Sequence, residues 1–236
     1  MAKSKKAEGQ KREREEEFLL DPPKIRTLDI GIKGTSQYVG NKFGPIAMEA
    51  LKKKMEEGQG QKKSNKNLPG KDFKKDYEDH MRTDENGIPG IPIAAFRNGM
   101  IDACRSVPFK MTVARQCIFL ESDGYDPDDG MPIVHFSKGK PESFISFVKI
   151  GQTVNLTARP RWRPGWEMRL RIRFDENLLK AKDIMILLRA MGKNIGVGAG
   201  RPFSKTSAGL GWGTFVIDLE KPIYLDAKPK NDLKRI

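Results

Sequence analysis

The chain has 236 residues, enough for one substantial domain with insertions, and its 44 Lys and Arg against 31 Asp and Glu give a formal net charge of +13. That excess favours a polyanionic partner, nucleic acid first, over an acidic small substrate. A mean hydropathy of -0.60 and the lack of a long apolar run exclude a membrane-spanning helix, and MAKSKKAEGQ has no apolar stretch of the secretory kind.

These features predict a cytoplasmic protein with no membrane partner. Cys104 and Cys117 sit in apolar surroundings without CxxC spacing, which reads as buried thiols rather than a disulfide or metal site. No cofactor and no metal is expected.

Residues 1–24 begin with a run of Lys, Arg and Glu that has almost no apolar content and read as a basic, flexible tail. From Ile25 to Lys33, the alternation of Ile25, Leu28, Ile30 and Ile32 predicts a first strand. Residues 46–86 form a long Lys-rich insertion, weakly helical over Ala47 to Met55, in which Phe73, Tyr77 and His80/Met81 have helical spacing. Pro92 then leads into a helix with Phe96, Met100, Ile101 and Cys104 on one face and Arg97, Asn98, Asp102 and Arg105 on the other.

Strands are predicted over Val113–Glu121 and Ile133–Phe136, around the acidic loop SDGYDPDDG. Asp123, Asp126, Asp128 and Asp129 of that loop fit no calcium-loop template and read as a solvated turn. Further strands follow over 144–150, 154–156 and 168–174. Before the last of them, Arg159, Arg161 and Arg163 frame Trp162 and Trp166 about a Pro164-Gly165 turn. Arginines beside indoles suit single-strand recognition, while the plainer alternative is a hairpin with its Trp residues in the core. Trp166 is assigned to the core.

An apolar helix over Leu179–Met191 is predicted to stop at Gly192 by a left-handed cap. The glycine-rich loop 196–213 follows, with Arg201, Ser204 and Lys205 in its polar tip. It admits two readings: a place where another backbone or a phosphate comes close, or a hairpin with a loose tip. The last strand is expected over Trp212–Leu219, and residues 221–236 read as a basic tail.

This order of elements, with Ile91-Pro92-Ile93-Ala94-Ala95-Phe96-Arg97 and Gly196 to Gly213, resembles the RAMP superfamily of CRISPR effector complexes, especially the backbone subunits that coat guide RNA. The chain is also similar to proteins encoded by tailed phages. The resemblance implies an α+β, ferredoxin-like (RRM-like) hand over residues 25–220, with the insertion 46–86 as a thumb and a C-terminal glycine-rich loop. Where the family has small and hydroxyl residues ending in Lys after the Pro, this chain has Ile93-Ala94-Ala95-Phe96-Arg97, which moves the basic contact to Arg97.

The implied function is non-enzymatic binding of single-stranded RNA, or single-stranded DNA, along the open face of the sheet, with copies assembling along the strand or joining RAMP-like subunits. The contacts would be Lys42, Lys52, Lys53, Lys54, Arg97, Arg105, Arg159, Arg161, Trp162, Arg163, Arg201 and Lys205. An endoribonuclease is the alternative, for which Asp72, Asp76, Asp79 and His80 are the candidate catalysts. A phage recombination or assembly protein is the third reading.

Overall fold

The computed structural model describes residues 22–56, 71–150, 153–204 and 207–226. The first half contains β1 (Ile25–Gly34), β2 (Tyr38–Val39), α1 (Pro45–Glu56), α2 (Phe73–Asp79), β3 (Gly90–Pro92), α3 (Ile93–Ala103), α4 (Met111–Cys117) and β4 (Ile118–Leu120). After these come β5 (Gly124–Tyr125), β6 (Pro132–Lys138), β7 (Glu142–Ile150), β8 (Thr153–Trp162), β9 (Glu167–Asp175), α5 (Ala181–Ala190), a π-helical turn (Met191–Ile195), β10 (Phe215–Ile217) and β11 (Tyr224–Leu225).

The main sheet runs β10-β1-β9-β6, every neighbouring pair antiparallel. Helix α3 connects β1 to β6 and α5 connects β9 to β10, so the unit is βαββαβ with strand order fourth, first, third, second. That is the ferredoxin-like order, and the fold is α+β as expected. Period-two alternation produces it: Leu28, Ile30 and Ile32 of β1 and Met168, Leu170, Ile172 and Phe174 of β9 share one buried cluster. Phe96 and Met100 of α3 and Ile184, Leu187 and Leu188 of α5 close that cluster, at helical spacing.

Strands β7 and β8 do not join this sheet. They pair with each other from Glu142↔Arg161 to Ile150↔Thr153 and with β2, which makes a separate three-stranded sheet. The Pro164-Gly165 turn is therefore no hairpin between paired strands. It is where the chain crosses from one sheet to the other, pinned by Gly165 N–H donating to Gly34 O at 2.8 Å. Trp162 and Trp166 flank the crossing, 2% and 0% exposed. Trp162 stacks on Phe136 at 4.3 Å between ring centroids.

Three expectations are corrected. The strand over Val113–Glu121 is instead α4 followed by the three-residue β4. Ala114 and Cys117 are one helical turn apart and both buried, and Arg97 grips the helix end by donating to Arg115 O and Ile118 O at 2.5 and 2.9 Å.

The acidic loop is also not a solvated turn, because Asp126 is fully buried between two cations. Lys42 Nζ reaches its Oδ1 at 2.9 Å and Arg82 Nη1 its Oδ2 at 2.9 Å. Arg82 also takes both oxygens of Asp129, at 2.8 and 2.9 Å, and Lys42 pairs with Asp128.

Finally, Gly192 does not end the last helix. The chain passes through the π-helical turn, and Gly196, at φ 72°, is the left-handed residue. Gly192 is needed for closeness instead, since a Cβ there would lie 2.3 Å from Phe215 O. Cys104 and Cys117 are buried free thiols, and burial pushes both above their ordinary pKa.

Candidate nucleic-acid interface

A groove of about 700 Å3 runs between the β7–β8 sheet, the start of α3 and the glycine-rich loop. Pro92, Ala95, Gly198 and Arg201 also line a smaller hollow of about 280 Å3 along α3, so the two adjoin. Each wall has a local cause. Pro92 has no N–H to give and starts α3 there. No side chain among the described residues caps the helix, so its first amides are left for an outside acceptor.

The glycine loop is shaped by positive φ. At Gly198, φ 78°, a Cβ would lie 2.5 Å from Tyr38 Cε2 and 2.6 Å from Val39 O. This closeness lets Ala199 N–H donate to Val39 O at 2.9 Å, while Trp212 N–H donates to Gly200 O at 3.1 Å. Both amides are thus spent on the loop's own frame. The loop brings side chains to the groove rather than serving as a bare amide cradle.

Two cations line the groove. Arg201 is braced by its own loop, donating to Gly198 O at 3.2 Å and Ser204 Oγ at 2.9 Å. Arg159, on β8, is partly buried, and its Nε lies out of water without a hydrogen-bond partner among the described residues. Burial pushes its guanidinium below the ordinary arginine pKa. A partly desolvated cation without a counter-charge is costly unless something completes it, and an anion in the groove would do so. Phe147 of β7 borders the same groove and is 79% exposed, an aromatic surface free for stacking at its edge, since the pairing Phe144↔Arg159 and Phe147↔Leu156 sends its side chain to the sheet face opposite that of Arg159.

Of the proposed contacts, the structure brings Arg159 and Arg201 together here. Arg105 lies beyond them, exposed, with its guanidinium 5.8 Å from the Phe203 ring and 3.7 Å from Asp102. Lys52 and Lys53 are exposed on α1, Lys52 within 3.8 Å of Glu56. The side chain of Lys54 and all of Lys205 lie outside the described residues.

The others are committed elsewhere. Lys42 is buried in the Asp126 cluster. Arg97 is spent on the carbonyls at the α4–β4 junction, and the Trp162 indole is inside the core. Arg161 and Arg163 both close on Glu142, whose carboxyl their hydrogen bonds hold below the usual range.

The open face of the sheet is also taken. Arg169 meets Asp29 at 2.5 Å, Arg171 meets Glu121 at 2.8 Å, and Glu167 accepts from Lys138 at 3.1 Å and from Lys221. Strand β11 pairs with β1 at Leu28 and Asp29, and its Tyr224 ring lies 5.2 Å from the Arg169 guanidinium. Arg169 and Arg171 on β9 are thus neutralised in place, while Arg173 is exposed. These ion pairs argue against binding along that face.

The four candidate catalysts serve α2. Asp72 caps it, accepting from Lys74 N and Lys75 N at 2.9 and 3.2 Å. Asp76 pairs with Lys71 at 3.0 Å and accepts from Thr157 Oγ1 at 3.3 Å, while His80 Nδ1 faces Asp76 O at 2.6 Å. Asp79 packs on Gly44, in a hollow shared with Lys42 and Asp128. Nothing in this arrangement sets a base against an acceptor site. Among the described residues no cluster of three His, Cys, Asp or Glu could hold a metal ion, and no helix is long and apolar enough to cross a membrane.

Sequence reasoning missed Phe147. Its signal is that β7 is apolar on both faces: Phe144 packs on Trp212 on one, while Ile145 and Phe147 on the other are exposed.

No family model matches the chain, and no curated protein matches it. Among solved structures it is similar to a chain of the Type III-B Cmr-beta structure bound to cognate target RNA, at 10% identity and TM-score 0.49, over 86% of this chain and 61% of that one. It is also similar to Csc2 of Thermofilum pendens, at 11% identity and TM-score 0.31, over 86% of this chain and 68% of that one. The chain thus spans less than two thirds of the Cmr-beta chain's length, and its ferredoxin-like assignment rests on its own strand order.

Proposed function

We propose that this chain is a non-enzymatic binder of single-stranded nucleic acid, RNA in preference to DNA, and that the strand lies in the groove between β8, the start of α3 and the glycine-rich loop. The observation that carries the reading is Arg159, whose buried Nε has no partner among the described residues, in a groove that also holds Arg201 and is bordered by the exposed Phe147. Arg159 and Arg201 take phosphates, and Phe147 stacks on a base. The open start of α3 adds a second place for a phosphate. The net charge of +13 supplies long-range attraction.

RNA is preferred because the element order resembles the RAMP hand, and the same resemblance suggests assembly of copies along the strand or with RAMP-like subunits. The insertion 46–86 is read as the thumb that closes on the strand. Its α2 already leans on β8 through Thr157 and Asp76, and Lys71 donates to Leu156 O.

The test is fluorescence anisotropy with short single-stranded RNA, single-stranded DNA and duplex RNA over a range of salt. Single strands should bind best, with affinity falling steeply as salt rises. Equal binding of duplex and single strands, or none at low salt, would remove the reading. Intact RNA after long incubation is expected, and cleavage that survives loss of His80 and the three aspartates would make the protein a nuclease of another design.

A further inference from the structure

A second groove lies at the edge of the main sheet. Strand β10 ends the sheet, and its Val216 and the nearby Leu219 are 49% and 67% exposed. With Thr35 and the exposed Arg189 and Lys193 they line a hollow of about 440 Å3. Neither cation has an ion-pair partner among the described residues. The floor is apolar and the rim basic, so the ligand that fits is an apolar segment preceded or followed by acids.

The chain contains such a segment: Glu13-Arg14-Glu15-Glu16-Glu17 runs directly into Phe18-Leu19-Leu20. Geometry keeps it from its own groove. Asn177 Nδ2 donates to Pro22 O at 3.2 Å, which fixes the start of the described chain at the Ile25 end of β1, whereas β10 pairs with Ile32 to Gly34 at the other end.

Ile25 to Lys33 spans roughly 26 Å at about 3.3 Å per residue, while Phe18 reaches at most about 14 Å from Pro22. The C-terminal residues do not fit either. They leave beside Thr27, where Asp226 N–H donates to its carbonyl at 2.7 Å, and they are basic.

We propose that this groove binds residues 13–20 of a second copy of the chain, with Glu15 to Glu17 against Arg189 and Lys193 and Phe18 to Leu20 against Val216 and Leu219. One copy's segment enters the next copy's groove, so the contact is head-to-tail and repeats. It needs no nucleic acid and stands apart from the Arg159 groove.

The experiment is sedimentation of nuclease-treated full-length protein at low salt. Wild type should gain mass with concentration, and the exposed double change Arg189→Glu with Lys193→Glu should hold it at the monomer mass. Adding Glu15→Lys, Glu16→Lys and Glu17→Lys to that variant should restore association by reversing both sides.

Carbodiimide cross-linking of mixed isotope-light and isotope-heavy copies should join Glu15 to Glu17 with Lys193 between copies. A wild type that is monomeric at every concentration, association untouched by the double change, or links confined within single copies would each overturn the proposal. None of these outcomes bears on nucleic-acid binding, which the anisotropy measurement tests separately.

Discussion

Lys42 and Arg82 stand on either side of α1 and α2 and hold the two oxygens of one fully buried carboxylate, Asp126, at 2.9 Å each. One acid thus ties both ends of the insertion to the loop between β5 and β6. Replacing Asp126 by Ala leaves two cations without it and is expected to cost about 3–5 kcal/mol of stability. Chemical denaturation measures this; a loss below about 1 kcal/mol would mean that the cluster does not clamp the insertion.

Acid should loosen the same region. The two-fold hydrogen bond from Arg82 holds the Asp129 carboxyl below the usual carboxylate range, and the one from Lys221 does the same for Glu167. Both folded pKa values are depressed, so their stability is fully present above about pH 5 and is lost as the pH falls through the unfolded values near 4 and below. Asp129→Asn and Glu167→Gln should each flatten the fall of the unfolding midpoint between about pH 5 and pH 2. An unchanged acid limb in both would contradict the assignment.

Arg97 separates a structural arginine from a binding one. It supplies hydrogen bonds to the carbonyls of Arg115 and Ile118. Arg97→Ala is expected to destabilise by about 1–3 kcal/mol. Nucleic-acid affinity per folded molecule should stay as in wild type, and a selective loss of affinity would return this residue to the interface.

Arg159→Ala should do the reverse, keeping stability and weakening binding about tenfold or more, with the salt slope for a single strand reduced by about 0.7. Phe147→Ala, at an exposed position, should cost about 1–3 kcal/mol of binding through one lost stack and leave the denaturation curve in place.

The sheet and its two helices were legible because their signals are local. Ile30 and Ile32, or Leu170 and Ile172, alternate within a few residues, and Ile184, Leu187 and Leu188 repeat with a helical period. The acidic loop was misread because what buries Asp126 is remote: Lys42 and Arg82 are invisible to any window around SDGYDPDDG. The same holds for Arg97, whose acceptors lie at the end of a short helix and the start of β4, a junction that β-branched Val113 and Ile118 disguise as one strand.

At the site, Arg159 and Arg201 could be picked out by charge near glycine or tryptophan, but composition does not tell which aromatic ring faces solvent. Trp162 looked exposed beside its arginines and is buried because the chain changes sheets there. Phe147 is bare because its face of β7, shared with Ile145, is the one that α2 and the glycine-rich loop do not cover.

The central claim is that the strand lies in the Arg159 groove and not on the open face of the sheet. Ultraviolet cross-linking of a uridine-rich single-stranded RNA to the full-length protein, followed by mapping of the modified residues, tests it most directly. Cross-links at Phe147 and within residues 198–204 are predicted. Cross-links at Tyr224 on β11, with none at Phe147, would place the nucleic acid on the open face and contradict the account.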